Sequence, residues 1–174
     1  MWRSRVLDIV DAPGLRPTPE RVRETLFNWL TPRIIGARCL DLYAGSGALG
    51  FEALSRGARS VDFVERNARV ARALRDNAAL LGAESAAIHA VDAMDFLASA
   101  AAPYDVIFLD PPFSDGNLDE LCRLIAERGL VSPGGKVYLE QASDRELPAL
   151  PEGWQVLKEK QAGKVCYALV GPGT

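Results

Sequence analysis

Residues 39–50, CLDLYAGSGALG, join a short apolar run to a glycine-rich turn. Gly45, Gly47 and Gly50 complete the pattern GxGxxG directly after the predicted strand Cys39–Tyr43, and a helix follows to about Arg56. Glycines at such a turn let the backbone bend tightly and approach a ligand closely. The pattern alone fits nicotinamide, flavin and S-adenosylmethionine (SAM) enzymes, and it also fits a purely structural turn.

Strand and helix patterns then alternate along most of the chain. The predicted strands and helices after the first unit are Val61–Glu65, a helix to about Leu81, Ala87–Val91, Ala93–Ala100, Asp105–Leu109, Leu118–Arg128 and Lys136–Glu140. Alternating βα units predict a parallel sheet with helices on both faces.

The carboxyl-terminal part breaks this alternation. Two strand patterns, Trp154–Lys160 and Lys164–Val170, are separated by three residues only, which is too short for a crossover helix and predicts an antiparallel hairpin. A mostly parallel seven-stranded sheet that ends in such a hairpin is typical of Rossmann-like class I SAM-dependent methyltransferases. We therefore predict an α/β chain of this class.

The segment before the first strand predicts an arm and a helix. Residues 1–17 carry turn signals and read as an extended arm, and residues 18–174 as a single methyltransferase domain. Thr18 is a suitable N-cap and Pro19 a suitable first helical residue, and Thr31-Pro32 predicts the end of the helix near Leu30.

Composition excludes several classes of protein. The chain has 174 residues, which is long enough for one domain with a hydrophobic core. Its 48% hydrophobic and 25% charged residues are an ordinary composition for a soluble protein. No apolar run approaches the roughly 18 residues of a membrane span, and no secretory signal pattern follows Met1. Three widely spaced cysteines predict reduced thiols and a cytoplasmic location, and a single histidine argues against a metal site.

Charge is unevenly distributed along the chain. The net charge is −3, yet residues 1–38 hold seven arginines and four acidic residues. A local basic segment can contact phosphates even in an acidic chain, and it can equally be a solvated arm.

Three acidic residues fall at successive predicted strand ends. Asp41 lies inside the first strand, where it could meet the ammonium of a methionine moiety. Glu65 could hold ribose hydroxyls, and Asp92 could accept from an adenine amino group. Each could instead cap a helix, but three in succession favour a cofactor site.

No GK[ST] follows the glycines, which excludes a P-loop, and no second region remains for a dehydrogenase.

The run Asp110-Pro111-Pro112-Phe113 follows the buried-strand pattern Tyr104–Leu109. Prolines stiffen the chain just beyond the carboxyl end of the strand, where open α/β sheets bind ligands. A carboxylate and a carbonyl can accept the two hydrogens of an exocyclic amine, and a phenyl ring can stack on a flat base. The structural alternative is a strand-ending turn with a core phenylalanine.

Several longer stretches resemble the RsmD family of bacterial 16S rRNA guanine-N2 methyltransferases. They are GLRPT at 14–18, RVRETLFNWL at 21–30, LDLYAGSGALG at 40–50, FVE at 63–65 and DPPF at 110–113. The resemblance implies SAM-dependent methylation of one guanine 2-amino group in 16S rRNA, within the small ribosomal subunit or an assembly intermediate, next to ribosomal proteins. Family members usually begin with a further short strand that is absent before Trp2, which affects the expected amino-terminal RNA contacts.

The candidate site residues follow from the motifs and the resemblance together. The candidate catalytic residues are Asp110, Pro111, Pro112 and Phe113. The candidate cofactor-binding residues are Arg16 and Thr18, which the resemblance implies as a lid, and Asp41, Tyr43, Ala44, Gly45, Ser46, Gly47, Glu65, Arg66, Asp92, Ala93 and Asp110. The candidate RNA contacts are Arg3, Arg5, Arg21 and Arg23, and no metal is expected.

Other functions remain open at this point. An aspartate-proline-proline-aromatic run also serves DNA adenine-N6 methyltransferases, although these usually carry an added recognition region. Glutamine methyltransferases favour Asn at the position of Asp110. A non-catalytic rRNA-binding assembly factor could keep the same fold, although an intact Asp110 and glycine turn argue against it.

Overall fold

A computed structural model describes residues 20–111, 118–143 and 146–172 of the chain. Its helices are α1 (Glu20–Ile34), α2 (Ala48–Ser55), α3 (Ala68–Leu81), α4 (Ala93–Ser99) and α5 (Leu118–Glu127). Its strands are β1 (Arg38–Asp41), β2 (Ser60–Val64), β3 (Ala86–His89), β4 (Tyr104–Leu109), β5 (Val131–Ala142), β6 (Trp154–Ala162) and β7 (Val165–Pro172).

The seven strands form one sheet in the order β3-β2-β1-β4-β5-β7-β6. Strands β1 to β5 pair in parallel, and β7 is antiparallel to both β5 and β6. The predicted fold class and the terminal hairpin are therefore confirmed. The chain leaves β1 towards β2 and β3 and returns at β4 towards β5, so the strand order reverses between β1 and β4. Open α/β sheets bind ligands at such a reversal.

Two apolar layers cover the faces of the sheet. On one face, side chains of α1, α2 and α3 such as Phe27, Phe51 and Leu74 pack in one cluster with sheet residues that include Phe108. On the other face, α4 and α5 pack against a second cluster that includes Ile107. Alternate residues of β4 thus serve opposite layers, because successive side chains of a strand point to opposite faces.

Helix α1 extends further than the sequence predicts. It continues through Pro32 to Ile34, although Thr31-Pro32 predicts its end near Leu30. Pro32 cannot donate to the carbonyl of Asn28, but Asn28 is exposed, so water can solvate that carbonyl. Ile34 is only 3% exposed in the core, and burying this side chain favours a further turn of helix.

Strand β5 begins at Val131, five positions before the predicted start at Lys136. Its early part contains Pro133-Gly134-Gly135, which predicts a turn. The structure accommodates these residues in a bulge, because Tyr104 pairs with Val131 whereas Val106 pairs with Lys136. The remaining described boundaries lie within two residues of the prediction.

Within residues 20–111, 118–143 and 146–172, the helices are too short or too polar to cross a membrane.

Candidate active site

The candidate site lies where the carboxyl ends of β1, β2, β3 and β4 meet. Asp41 is the last residue of β1 and pairs with Phe63 of β2 and Phe108 of β4. Glu65 and Asp110 lie two positions beyond these partners, on either side of Asp41. Parallel pairing therefore brings three of the predicted acidic residues to one edge of the sheet.

The glycine turn has the backbone geometry that the sequence predicts. Gly45 and Gly47 have φ angles of 53° and 82°, which other residues rarely adopt. A Cβ atom on Gly50 would lie 2.2 Å from Cε1 of Phe63, so this glycine lets α2 approach β2 closely. The first two glycines thus shape the turn, and the third serves the packing of helix against sheet.

Asp41 is held by the beginning of α2. The residue is 3% exposed, and its carboxylate Oδ2 accepts the backbone N–H of Gly50 at 3.1 Å. Gly47, the N-cap residue, has no side chain that could cap the helix, so Asp41 takes this part from another element. Burial raises the pKa of Asp41 to about 7, the Gly50 hydrogen bond lowers it and the charge of Glu65 raises it.

Glu65 connects the end of β2 to the glycine turn. One carboxylate oxygen accepts the backbone N–H of Gly45 at 3.0 Å, and the other accepts that of Asn67 at 2.9 Å. Each oxygen retains a further lone pair, so the carboxylate can accept additional donors.

Asp92 caps a helix in this structure. Its Oδ2 accepts the backbone N–H of Met94 at 2.9 Å and so forms the N-cap of α4. The sequence analysis gave helix capping as the alternative role of this acid, and the structure shows that Asp92 does cap a helix. Its proposed hydrogen bond with the adenine amino group stays a prediction. Ala93 is the buried first residue of α4.

Asp110 and Pro111 follow β4 directly. Asp110 is half-buried and has interactions of its own, and Pro111 is buried. They lie next to β1 and its glycine turn, so a substrate nitrogen at Asp110 would be close to a ligand held by the turn.

Comparison with known proteins identifies the family. A family model described as Conserved hypothetical protein 95 matches residues 1–171. Ribosomal RNA small subunit methyltransferase D of Escherichia coli strain K12 is 46% identical over 168 residues, covering 97% of this chain and 85% of that relative. The chain belongs to the RsmD family.

Two further matches agree with this membership. The RsmD relative from Haemophilus influenzae, named Ribosomal RNA small subunit methyltransferase D, is 43% identical over 173 residues, covering 97% of this chain and 89% of the relative. The solved structure of yhhF from Escherichia coli superposes with a TM-score of 0.90 at 43% identity, covering 97% of this chain and 92% of the other.

The other predicted site residues lie either outside or inside the described part of the chain. Those outside it are Arg3, Arg5, Arg16, Thr18, Pro112 and Phe113. Among the described ones, Tyr43 and Ser46 are half-buried and Ala44 is buried in the turn, whereas Arg66 is exposed after Glu65. Arg21 is exposed and Arg23 half-buried on α1.

The sequence analysis did not predict two hydrogen bonds between a tyrosine and a carboxylate. The Tyr138 hydroxyl donates to Glu140 Oε2 at 2.8 Å, and the Tyr104 hydroxyl donates to Asp62 Oδ2 at 2.6 Å. The ring of His89 contacts that of Phe96 at a tilt of 54°, and its Nε2 lies 3.1 Å from Asp62 Oδ1. An acid in an otherwise apolar strand, as in Val137–Glu140, is the signal that could have revealed the first pair.

The described part of the chain contains three cysteines, none of them in a metal-binding cluster. It holds no cluster of three or more histidine, cysteine, aspartate or glutamate side chains suited to a metal ion. Cys39, Cys122 and Cys166 are free thiols, and burial raises the pKa of both Cys39 and Cys122 to about 12. A thiol with such a pKa stays protonated and is a poor nucleophile.

Proposed function

We propose that this chain transfers the methyl group of SAM to the 2-amino group of a guanine in 16S rRNA, within the small ribosomal subunit or an assembly intermediate. The observation that carries the proposal is the position of Asp110-Pro111 after β4, beside the glycine turn after β1. The names of the RsmD relatives support a small-subunit rRNA substrate.

The acceptors around the turn suit the donors of SAM. When bound, SAM supplies a methyl group on a positively charged sulfur. Glu65 can accept from the ribose hydroxyls with the lone pairs that remain beside Gly45 and Asn67. Asp41 is proposed for the methionine ammonium, directly or through water, and Asp92 for the adenine amino group.

Asp110 and Pro111 orient the nucleophile. The Asp110 carboxylate and the Pro111 carbonyl each accept one hydrogen of the exocyclic amine, so the lone pair of the nitrogen is directed at the methyl group. Orientation of this kind can contribute on the order of 7–11 kcal/mol to a two-partner reaction. Pro111 also stiffens the backbone after β4, which keeps its carbonyl in place.

The target guanine leaves its base stack to reach this site, as bases do in other enzymes that modify them. Phe113, which lies outside the described residues, is proposed to stack on the extruded base. Such contacts contribute roughly 1–3 kcal/mol per base.

Transfer of radiolabelled methyl from SAM tests the proposal. The acceptors are small subunits from a strain that lacks its own copy of the enzyme, with bare rRNA, duplex DNA and total protein in parallel. Label recovered as N2-methylguanine from 16S rRNA is the expected result. Label only in DNA or protein, or cofactor binding without transfer to any acceptor, would contradict it.

A further inference from the structure

Tyr138 and Glu140 form a buried pair on the strand next to Asp110. Both lie on β5, two positions apart and so on one face, and they are 0% and 1% exposed. Leu109 of β4 pairs with Leu139 of β5, which places Glu140 alongside Asp110 at the carboxyl ends of these strands. The strand register thus brings a second carboxylate close to the proposed catalytic one.

The phenol of Tyr138 is held in place by aromatic neighbours. Its ring centroid lies 6.5 Å from that of Phe108 and 6.4 Å from that of Tyr167 on β7. Burial, followed by the charges of Glu140 and Asp110, holds the pKa of Tyr138 well above its ordinary value. The hydroxyl therefore keeps its proton and donates it to the hydrogen bond with Glu140.

We propose that Glu140, fixed by Tyr138, is a positioning residue that makes Asp110 a stronger acceptor for the exocyclic amine. This inference rests on the proposed function of Asp110. As the methyl carbon bonds to the guanine nitrogen and leaves sulfur, that nitrogen becomes positive. One of its N–H bonds then breaks, and the proton passes to a carboxylate oxygen of Asp110 and on to water.

A neighbouring negative charge helps this transfer because it makes a carboxylate bind a proton more tightly. A carboxylate is costly to bury unless it is hydrogen-bonded. The Tyr138 hydroxyl meets this need, because it donates to Glu140 Oε2 at 2.8 Å. The pair thus places a fixed charge beside the reaction without direct contact with the base.

Glu140→Gln and Tyr138→Phe test this role in single-turnover methylation of small subunits across a range of pH. We expect Glu140→Gln to slow transfer about tenfold or more and to move the acidic limb of the rate profile to lower pH, with the dissociation constant for SAM unchanged. Tyr138→Phe should slow transfer several-fold.

Tyr104→Phe is the matched control, because Tyr104 makes the same kind of bond to Asp62 on the opposite face of the sheet. It should leave the rate within about twofold of the unaltered protein. Where Glu140→Gln does not fold, the comparison between Tyr138→Phe and Tyr104→Phe decides, and equal rates for these two would overturn the proposal.

Two outcomes of Glu140→Gln would also overturn it: a rate within twofold of the unaltered protein, or a slower rate with an unmoved acidic limb. Asp110→Asn in the same assay separates this inference from the proposed function. If Asp110→Asn is inactive and Glu140→Gln behaves normally, only the role of Glu140 fails. If Asp110→Asn keeps full activity, the proposed mechanism itself fails.

Discussion

Replacing Asp110 by Ala removes the carboxylate after β4 and leaves Pro111 and the glycine turn in place. We expect methyl transfer to fall roughly a hundredfold or more, because the amine loses one of its two acceptors, while SAM still binds. Radiolabel transfer and calorimetric binding measure the two quantities separately. Asp119→Ala, which removes an exposed acid at the start of α5, is the control and should retain activity.

Asp41 makes stability depend on pH in an unusual direction. Its pKa is about 7 in the folded chain and near 3.8 when unfolded, so the folded state holds the proton more tightly between these values. The free energy of unfolding should therefore fall as pH rises from about 4 to 7. Over this pH range, Asp41 should lower the free energy of unfolding by about 1–4 kcal/mol.

Asp41→Asn isolates this contribution. The amide oxygen can still accept from Gly50, but no charge is buried, so the variant should gain stability relative to the unaltered protein as pH rises from 5 to 8. Its affinity for SAM should fall if Asp41 meets the methionine ammonium. Parallel urea unfolding curves at several pH values measure the difference, and a constant difference would contradict the assignment.

At the scale of elements, α2 and β2 depend on the missing side chain at position 50. Gly50→Ala should destabilise the fold by about 1–3 kcal/mol, because the added methyl group would overlap the ring of Phe63. The double variant Gly50→Ala with Phe63→Leu should recover part of that loss, since leucine leaves more room. Thermal unfolding of the four proteins in this cycle gives the coupling, and additive effects would refute the close contact.

Elements also show where the sequence was insufficient. The alternation of apolar runs and glycines predicted every described strand and helix, because these patterns are local. The continuation of α1 through Pro32 and the early start of β5 were not predicted, since Ile34 gains its burial and Val131 its partner from elements distant in the sequence. Tertiary packing overrode the local turn signals at both places.

In the candidate site, too, local features could be predicted from the sequence and tertiary contacts could not. The glycine turn and the acids at strand ends were predicted from their spacing. The hydrogen bonds from the Gly50 N–H to Asp41 and from the Tyr138 hydroxyl to Glu140 were not predicted, because they depend on how elements meet and on which face a strand residue points to.

At the scale of the whole molecule, a ligand that binds only the folded state should stabilise all of it. SAM at about a hundredfold excess over its dissociation constant should raise the free energy of unfolding by about 2.7 kcal/mol and the melting temperature by about 5–10 °C. NADH and FMN at matched concentrations are the controls. A rise in melting temperature with NADH or FMN, and none with SAM, would indicate that the glycine turn binds a nicotinamide or flavin cofactor instead.

Two carboxylates fix the glycine turn and the helix that follows it: Glu65 accepts the N–H of Gly45 in the turn, and Asp41 accepts that of Gly50 in the first turn of α2. Because both carboxylates belong to the protein, the turn is preorganised, and the amides of Gly45 and Gly50 should exchange slowly with deuterium even without ligand. The same acids are proposed to recognise the ligand. Redesign of the pocket for a different cofactor by replacing Glu65 or Asp41 with a side chain that cannot accept these N–H groups would therefore loosen the turn as it alters selectivity, so new specificity would have to come from neighbouring positions.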